Sequence, residues 1–276
     1  MPELPEVENY RRFFERHALD RAVASVACRD RLVVGTLGRA DLDRAVAGRA
    51  FRSTRRHGKY LFAEAAAGSR RGTDSVWVVF HFGMTGFFES LSAGEPVPPY
   101  TRVLFRFRDA GALAFVCPRR FGRVAWIRRP EDLIASKRLG PDPLDPALDS
   151  GMLRRALGTR RGAIKAHLLD QTALAGVGNL YADEALFQSG IHPRASAATL
   201  RASEWRRLER ALDRVLRTAV RTAEAPRRFP RGWLFERRRA GEPCPRCGGR
   251  LASAIVGGRT TFFCSRHQRL RRRLKR

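Results

Sequence analysis

The sequence predicts an α+β protein of two domains, and three observations carry that prediction. Residues 21–127 are patterned as short strands, and the chain beyond 150 is patterned as helices. A stretch rich in Pro, Asp and charge, residues 128–150, stands between them. A tight cluster of cysteine and histidine near the end predicts a further, metal-held element. With 276 residues, 43% of them apolar, the chain can fill one large core or two ordinary ones.

The first element is a helix. Residues 5–18 put Val7, Tyr10, Phe14 and His17 on one face and Arg11, Arg12 and Glu15 elsewhere. Its start, Met1-Pro2-Glu3-Leu4-Pro5-Glu6-Val7-Glu8, has two compatible readings. One is structural: Pro5 suits a first helical position, and acids in the first turn suit the helix dipole. The other is chemical. Removal of Met1 makes Pro2 a terminal secondary amine, which titrates far below a lysine and is partly unprotonated near neutral pH. Such an amine forms Schiff bases, and Glu3, Glu6 and Glu8 could move the protons. While Met1 is attached, the Pro2 nitrogen is an amide and cannot react this way.

Strand signals follow. Lys59–Phe62 and Val76–Phe80 are short apolar runs, and Val103, Phe105 and Phe107 alternate with Arg102, Arg106 and Arg108. Asp109-Ala110-Gly111 then turns the chain into Ala112–Val116, a hairpin signal. Strands at this spacing predict a β-sandwich or a barrel. Residues 68–74 and 92–99 read as exposed loops. Two other loops, His81-Phe82-Gly83-Met84-Thr85-Gly86 and Cys117-Pro118-Arg119-Arg120-Phe121-Gly122, set large side chains beside glycine at strand ends. Met84 and Phe121 there could wedge into a base stack or simply belong to the core. The pattern divides them evenly.

Beyond the linker, helices are predicted over 152–157, 164–169, 180–188 and 203–222. The last carries an apolar stripe of Trp205, Leu208, Leu212, Val215, Leu216 and Ala219, which is a core pattern. Before the third lies Gly176-Val177-Gly178-Asn179. Asn179 is expected to cap that helix, and the bare backbone N–H groups at its start suit a phosphate. In Cys244-x-x-Cys247 and Cys264-x-x-His267, two donor pairs have the spacing of a structural Cys3His zinc site. Residues 251–256 and 259–263 between the pairs read as a hairpin, hence a two-stranded zinc ribbon that a single Zn2+ stabilises. Arg259, where the hairpin turns, is either aimed at a phosphate or a solvated turn residue.

The charge narrows the function. With 54 basic and 27 acidic residues the net charge is +27, an electrostatic footprint for a polyanion. No apolar run is long enough to span a bilayer, and no signal-like stretch follows a basic start. Five cysteines are too few for a disulfide scaffold. A cytoplasmic, nucleoid-associated monomer that binds nucleic acid is the expectation.

Taken in order, the Met1–Glu8 start, His57-Gly58-Lys59-Tyr60-Leu61, residues 81–86, Arg119–Gly122, Asp170–Glu184 and the terminal zinc hairpin resemble the formamidopyrimidine-DNA glycosylase/endonuclease VIII family. These motifs span nearly the whole chain. The resemblance implies an N-terminal catalytic β-sandwich domain with a flanking helix (1–127), a linker (128–150) and a helix-two-turns-helix DNA-binding domain (151–240). A β-hairpin zinc finger (241–268) and a basic tail (269–276) complete it.

It also implies a bifunctional DNA glycosylase and abasic-site lyase of base excision repair, acting on damaged double-stranded DNA. Pro2 would attack C1′, displace the base and form a Schiff base, and β,δ-elimination would then cut the strand. Glu3 would move protons, helped by Glu6. Lys59, Asn179 and Arg259 would hold flanking phosphates, with His81 and Lys165 as further contacts. Met84, Arg119 and Phe121 would fill the gap left by the flipped nucleotide. The zinc ligands would be Cys244, Cys247, Cys264 and His267. Two departures stand out: His267 replaces the usual Cys, and residues 223–241 look shorter than in typical 8-oxoguanine enzymes. The second departure shifts the expected substrate towards oxidised pyrimidines, formamidopyrimidines or abasic sites. The alternatives are an enzyme acting mainly as a lyase and a damage-binding zinc protein without catalysis.

Overall fold

The computed structural model describes residues 2–35, 39–68, 75–222 and 229–270. The stretches read as a loop at 69–74, the first part of the segment expected to be short (223–228) and most of the basic tail (271–276) lie outside the described residues. The chain divides into two compact units. One contains Met1–Pro2 and Glu6–Lys137, the other Glu3–Pro5 and Arg138–Arg276.

The first unit holds helices α1 (Leu4–Ala18, entered through the second unit's residues), α2 (Arg31–Val34), α3 (Arg39–Val46) and α4 (Pro130–Ser136). Its strands are β1 (Val23–Cys28), β2 (Ala50–His57), β3 (Tyr60–Ala66), β4 (Val76–His81), β5 (Phe87–Leu91), β6 (Thr101–Phe107), β7 (Ala112–Val116) and β8 (Arg123–Ile127). They form two four-stranded sheets, ordered β1-β6-β7-β5 and β2-β3-β4-β8, with every pairing antiparallel. Inward residues of both sheets share one core with Val7 and Phe14 of α1, which makes the strand region a sandwich rather than a barrel. Phe51 of one sheet meets Phe105 of the other, with ring centroids 5.8 Å apart. Each fully buried Phe contributes roughly 1.5–3 kcal/mol of transfer free energy. The residues between the inward set on β6 and β7 are also buried: Leu104, Ala112, Ala114 and Val116 pack with Phe87, Leu91 and Val97. A strand covered on both faces loses the period-2 signal, so β7 reads as a continuous apolar run.

The second unit holds α5 (Met152–Leu157), α6 (Ile164–Leu169), α7 (Asn179–Ser189), α8 (Ala202–Thr222) and a hairpin of β9 (Leu251–Val256) and β10 (Arg259–Cys264). The apolar stripe of α8 closes on α6 and α7 in one core. Residues 170–178 between α6 and α7 make the two turns of the helix-two-turns-helix motif, with Leu174 and Val177 buried and Gln171 tying the turn together through Val177 O and Gly176 N.

Candidate active site and nucleic-acid interface

The N-terminus of α7 is organised by a residue from the far end of the sequence. Glu3 is buried. Its Oε2 accepts the Gly178 N–H at 2.8 Å and the Tyr181 N–H at 3.4 Å, and its Oε1 accepts the Leu180 N–H at 2.9 Å. These are the donors a helix start leaves without intrahelical partners, and a carboxylate there also meets the positive end of the helix dipole. The expected Asn179 cap is therefore corrected. The cap position is Gly178, without a side-chain hydrogen bond, and Asn179 is the first helical residue. Gly178 is required by proximity: a Cβ on it would lie 2.3 Å from Cδ of Glu3.

Relieved of capping, the Asn179 side chain binds outward and across. Its Oδ1 accepts from Lys165 Nζ at 2.7 Å, and its Nδ2 donates to Thr260 O of the hairpin at 3.1 Å. Lys165 is fully buried, so it holds Asn179 from beneath rather than reaching a ligand itself. Its Nζ also donates to Thr261 Oγ1 and pairs with Asp183 Oδ1 at 2.7 Å. Asp183 Oδ2 accepts the Phe262 N–H at 3.1 Å and pairs with Arg238 at 2.9 Å. Burial pushes Lys165 down and Asp183 up, and the charge of each opposes the other's shift. Arg259, next to Thr260, is exposed at the start of β10. The Asn179 amide is thereby tied to the hairpin one residue from Arg259, on a base of buried, paired charge.

The hairpin carries the candidate metal centre. The donor atoms of Cys244, Cys247, Cys264 and His267 all lie within 4.8 Å of one another. Cys247 Sγ is 3.5 Å from Cys264 Sγ and 3.6 Å from His267 Nδ1, and Cys244 Sγ is 3.6 Å from the same nitrogen. Tetrahedral zinc at about 2.3 Å from sulfur and about 2.0 Å from nitrogen requires edges of roughly 3.5–3.8 Å. The other ring nitrogen of His267 faces Phe187 O at 3.3 Å, an outer-shell contact that fixes the ring for metal binding through Nδ1. Arg246 donates to Phe187 O and Gln188 O. The zinc end is thereby docked on the C-terminus of α7, while β10 is docked on its N-terminal half.

In the first unit the two predicted loops meet backbone to backbone. Gly83 has φ +60°, and a Cβ there would lie 2.3 Å from the carbonyl carbon of Phe121. Thr85 Oγ1 accepts the Arg119 N–H at 3.4 Å. Met84 is 40% and Phe121 53% exposed, which settles the even choice left by the pattern: neither is core. The Arg119 guanidinium lies 5.4 Å from the Phe121 ring centroid. Arg120 sits at φ +58° and pairs with the buried Asp30 at 2.8 Å, a second brace on this loop. At the end of β4, His81 Nδ1 accepts the Gly83 N–H at 3.3 Å and the ring lies 4.9 Å from Tyr60. Burial first, then the positive charges of Lys59, Arg123 and Lys137, push His81 down to about 4. The imidazole is neutral at physiological pH, with its proton on Nε2. Lys59 is half-buried in the turn joining β2 to β3, and Pro2 is half-buried at the chain start, while Glu6 is buried in the first turn of α1.

Asp183 and Glu184 lie within the Asp170–Glu184 motif without an individual role being expected of them, and none was expected of Thr261 or Arg238. A signal was present: Asp183 and Glu184 are adjacent acids in a helix that is otherwise apolar on nearly all sides. Charges on such a helix are buried and partnered. Glu184 accepts from Gln188 at 2.8 Å, and burial pushes its carboxyl up to about 7.

Comparison with known proteins agrees with this architecture in sequence order. Residues 1–124 match the family described as the formamidopyrimidine-DNA glycosylase N-terminal domain, 139–229 the H2TH domain of the same glycosylase, and 241–266 the zinc finger found in FPG and IleRS. The chain is 34% identical to the formamidopyrimidine-DNA glycosylase of Stutzerimonas stutzeri, over 98% of this chain and 100% of that protein. It is 36% identical to that of Pelobacter propionicus, over 97% and 100%. Among solved structures it is similar to the Lactococcus lactis Fpg in complex with abasic-site DNA, at 28% identity and a TM-score of 0.84, covering 97% of this chain and 99% of that one. A complex of MutM with DNA containing carbocyclic 8-oxo-G gives the same identity and TM-score, over 97% and 100%.

Proposed function

The chain belongs to the formamidopyrimidine-DNA glycosylase family, and we propose that it removes damaged bases from double-stranded DNA through a Schiff base on Pro2. It is a DNA glycosylase of base excision repair, in a family with abasic-site lyase activity, and it carries one structural zinc. Once Met1 is removed, the Pro2 nitrogen attacks C1′ of the damaged nucleoside. The bond from C1′ to the base breaks, and the base leaves with that electron pair and takes up a proton. The Pro2 nitrogen loses its proton, the C1′–O4′ bond opens with O4′ taking up a proton, and the iminium ion that forms permits β- and then δ-elimination of the flanking phosphates.

One observation carries this reading: the residue after Pro2 is bound into the same hydrogen-bonded set as the phosphate-facing groups. Glu3 holds the α7 N-terminus, Asn179 is the first residue of α7, and Asn179 bonds to the hairpin beside Arg259. In this reading Glu3 positions the chain terminus and is the carboxylate at hand for proton transfer, with Glu6 in support. Asn179 and Arg259 hold phosphates, Lys165 positions Asn179, and Lys59 and His81 add contacts from the first unit. Met84, Arg119 and Phe121 occupy the space of the extruded nucleotide. Cys244, Cys247, Cys264 and His267 hold the zinc, which keeps the hairpin folded and leaves no ligand position open.

For substrate, the proposal favours oxidised pyrimidines, formamidopyrimidines and abasic sites over 8-oxoguanine. In support, the described part of residues 223–241 is spent on packing: Phe229 stacks on Trp233 and lies tilted against Phe235, and Phe235 lies against Tyr181 of α7. We further propose a monomer, the domain limits given above, and a cytoplasmic, nucleoid-associated location. Among the described residues no helix is long and apolar enough to cross a membrane. The test is borohydride trapping on an abasic duplex. Met-free protein should form a covalent adduct, Pro2→Gly should lower its yield, and a chain retaining Met1 should form none. An adduct of equal yield in all three would sink the assignment.

A further inference from the structure

Helix α8 carries two different faces. Its apolar stripe packs on α7. The 3.6-residue period puts Arg206, Arg207, Arg210, Arg214, Arg217 and Arg221 on the opposite side, and all six are exposed. At 1.5 Å per residue they form a stripe roughly 22 Å long. A solvated helix face is ordinarily stabilised by alternating charge, and like charges at i,i+3 or i,i+4 destabilise it. Here Arg206 and Arg210, Arg210 and Arg214, and Arg217 and Arg221 are i,i+4 neighbours of like charge.

Internal compensation is slight. Asp213 pairs with Arg217 at 2.7 Å, and Asp145 and Asp149 share a surface depression with Arg210 and Arg217. Cations therefore outnumber acids two to one on this face. Glu209, the other nearby acid, is bound to the N–H groups of Gly151 and Leu153. Arg207, Arg214 and Arg221 give hydrogen bonds to Ser189 O, Gln188 Oε1 and Thr218 Oγ1. Each guanidinium has five donors, so such contacts leave most of them available.

We propose that this arginine face is a second, lesion-independent DNA-binding surface, engaging the phosphates of a duplex segment other than the one held at the α7 N-terminus. The proposal rests on the DNA-binding reading above. Duplex DNA presents one charge per about 1.7 Å of axis, so a stripe of this length faces on the order of a dozen phosphates. Guanidinium groups bind phosphate in bidentate fashion. The apolar stripe of α8, on the other side of the helix, packs on α7, and Arg207 and Arg214 at the margin of the arginine face reach α7 at Ser189 and Gln188, the opposite end from Asn179. Two duplexes can therefore be held together, and the protein passes from one to the other without complete release.

The experiment uses the full chain with Arg210, Arg214, Arg217 and Arg221 all changed to Gln, and a matching variant with all four changed to Lys. On undamaged duplex, the slope of log K against log salt should become shallower by about 3.6 in the Gln variant, near 0.9 for each of four lost phosphate contacts, and stay near wild type in the Lys variant. Added competitor duplex should speed wild-type dissociation from an abasic duplex and lose that effect in the Gln variant. Single-turnover incision at low salt should be unchanged. Removing like-charge pairs should leave the melting temperature equal or higher. If the Gln variant melts lower, the pair Arg210→Gln/Arg221→Gln carries the same test with about half the change in slope. An unchanged slope and unchanged competitor effect would overturn the proposal, as would a slope change accompanied by lost incision, which would make the face part of the lesion site. Wild-type protein that neither incises nor traps abasic DNA would refute the enzymatic reading and leave the salt slope free to report on this face.

Discussion

In the first unit Met84, Arg119 and Phe121 stand on two loops fixed by backbone packing, whereas in the second Asn179 is fixed by charge buried beneath it. The loops meet where Gly83 allows the two main chains to touch, and their side chains project from that join with few polar ties. Asn179 rests on Lys165, which rests on Asp183, which also holds Arg238 and the Phe262 N–H. In the proposed roles, side chains that fill a gap need only a rigid platform and a defined direction, whereas an amide that holds a phosphate must present the correct atom; here the ammonium fixes Oδ1 inward and leaves Nδ2 to donate. The physical contrast is between local steric support and a coupled electrostatic one, and it predicts different responses to mutation.

The largest effect should come from Asp183→Asn. It removes the direct ion-pair partner of the buried Lys165 and the half-buried Arg238, which should destabilise the second unit by about 3–5 kcal/mol in denaturant unfolding. Adding Lys165→Met removes one stranded cation and should recover part of that stability. Adduct formation on an abasic duplex should nevertheless remain low, by about 10²-fold, because Asn179 has lost its clamp. Recovery of stability and activity together would show that the buried charges only hold the fold, and the contrast between the two regions would fail.

The sequence reveals most of what lies on surfaces and little of what lies between them. The zinc donors are legible because metal geometry demands fixed spacings, and the α8 core because a helix repeats every 3.6 residues. Phe105 and Phe107 are legible for the same reason with period two. The Glu3 cap of α7 joins residues some 175 positions apart, and no local pattern encodes such a contact. Local propensity favours Asn179 as the cap, and a distant carboxylate, Glu3, takes the role. Arg238 and Thr261 likewise acquire meaning only when the chain brings them to Asp183.

A smaller and more confined effect is expected from Gly83→Ala. The added Cβ meets the Phe121 carbonyl carbon at 2.3 Å, at a φ of +60° that L side chains resist. The cost should be about 1–3 kcal/mol, borne by the first unit alone. Fluorescence of 2-aminopurine opposite the lesion should report weaker insertion of Phe121 and Arg119, while zinc content stays at wild-type levels. Loss of zinc in this variant would mean that the loops and the zinc hairpin are coupled after all.

The smallest expected effect is a pH dependence in the first unit. His81 is pushed down to about 4 by burial and by Lys59, Arg123 and Lys137, against an ordinary value near 6.5. The unfolded chain therefore takes up the proton first, and stability rises with pH between about 4 and 6.5 and is flat above. Moving from pH 7 to pH 5.5 should cost about 1 kcal/mol through this group. His81→Gln, which cannot titrate, should remove that part of the slope while keeping an amide able to donate to a phosphate. The second unit has a buried acid shifted the other way, Glu184 at about 7, whose burial favours the protonated form. Its contribution to stability rises as pH falls through 7, opposite in sign to that of His81. Separate probes in the two units, tryptophan fluorescence at Trp126 and at Trp205, should resolve these opposed slopes. Parallel slopes at both probes would show that neither group governs its unit's pH response.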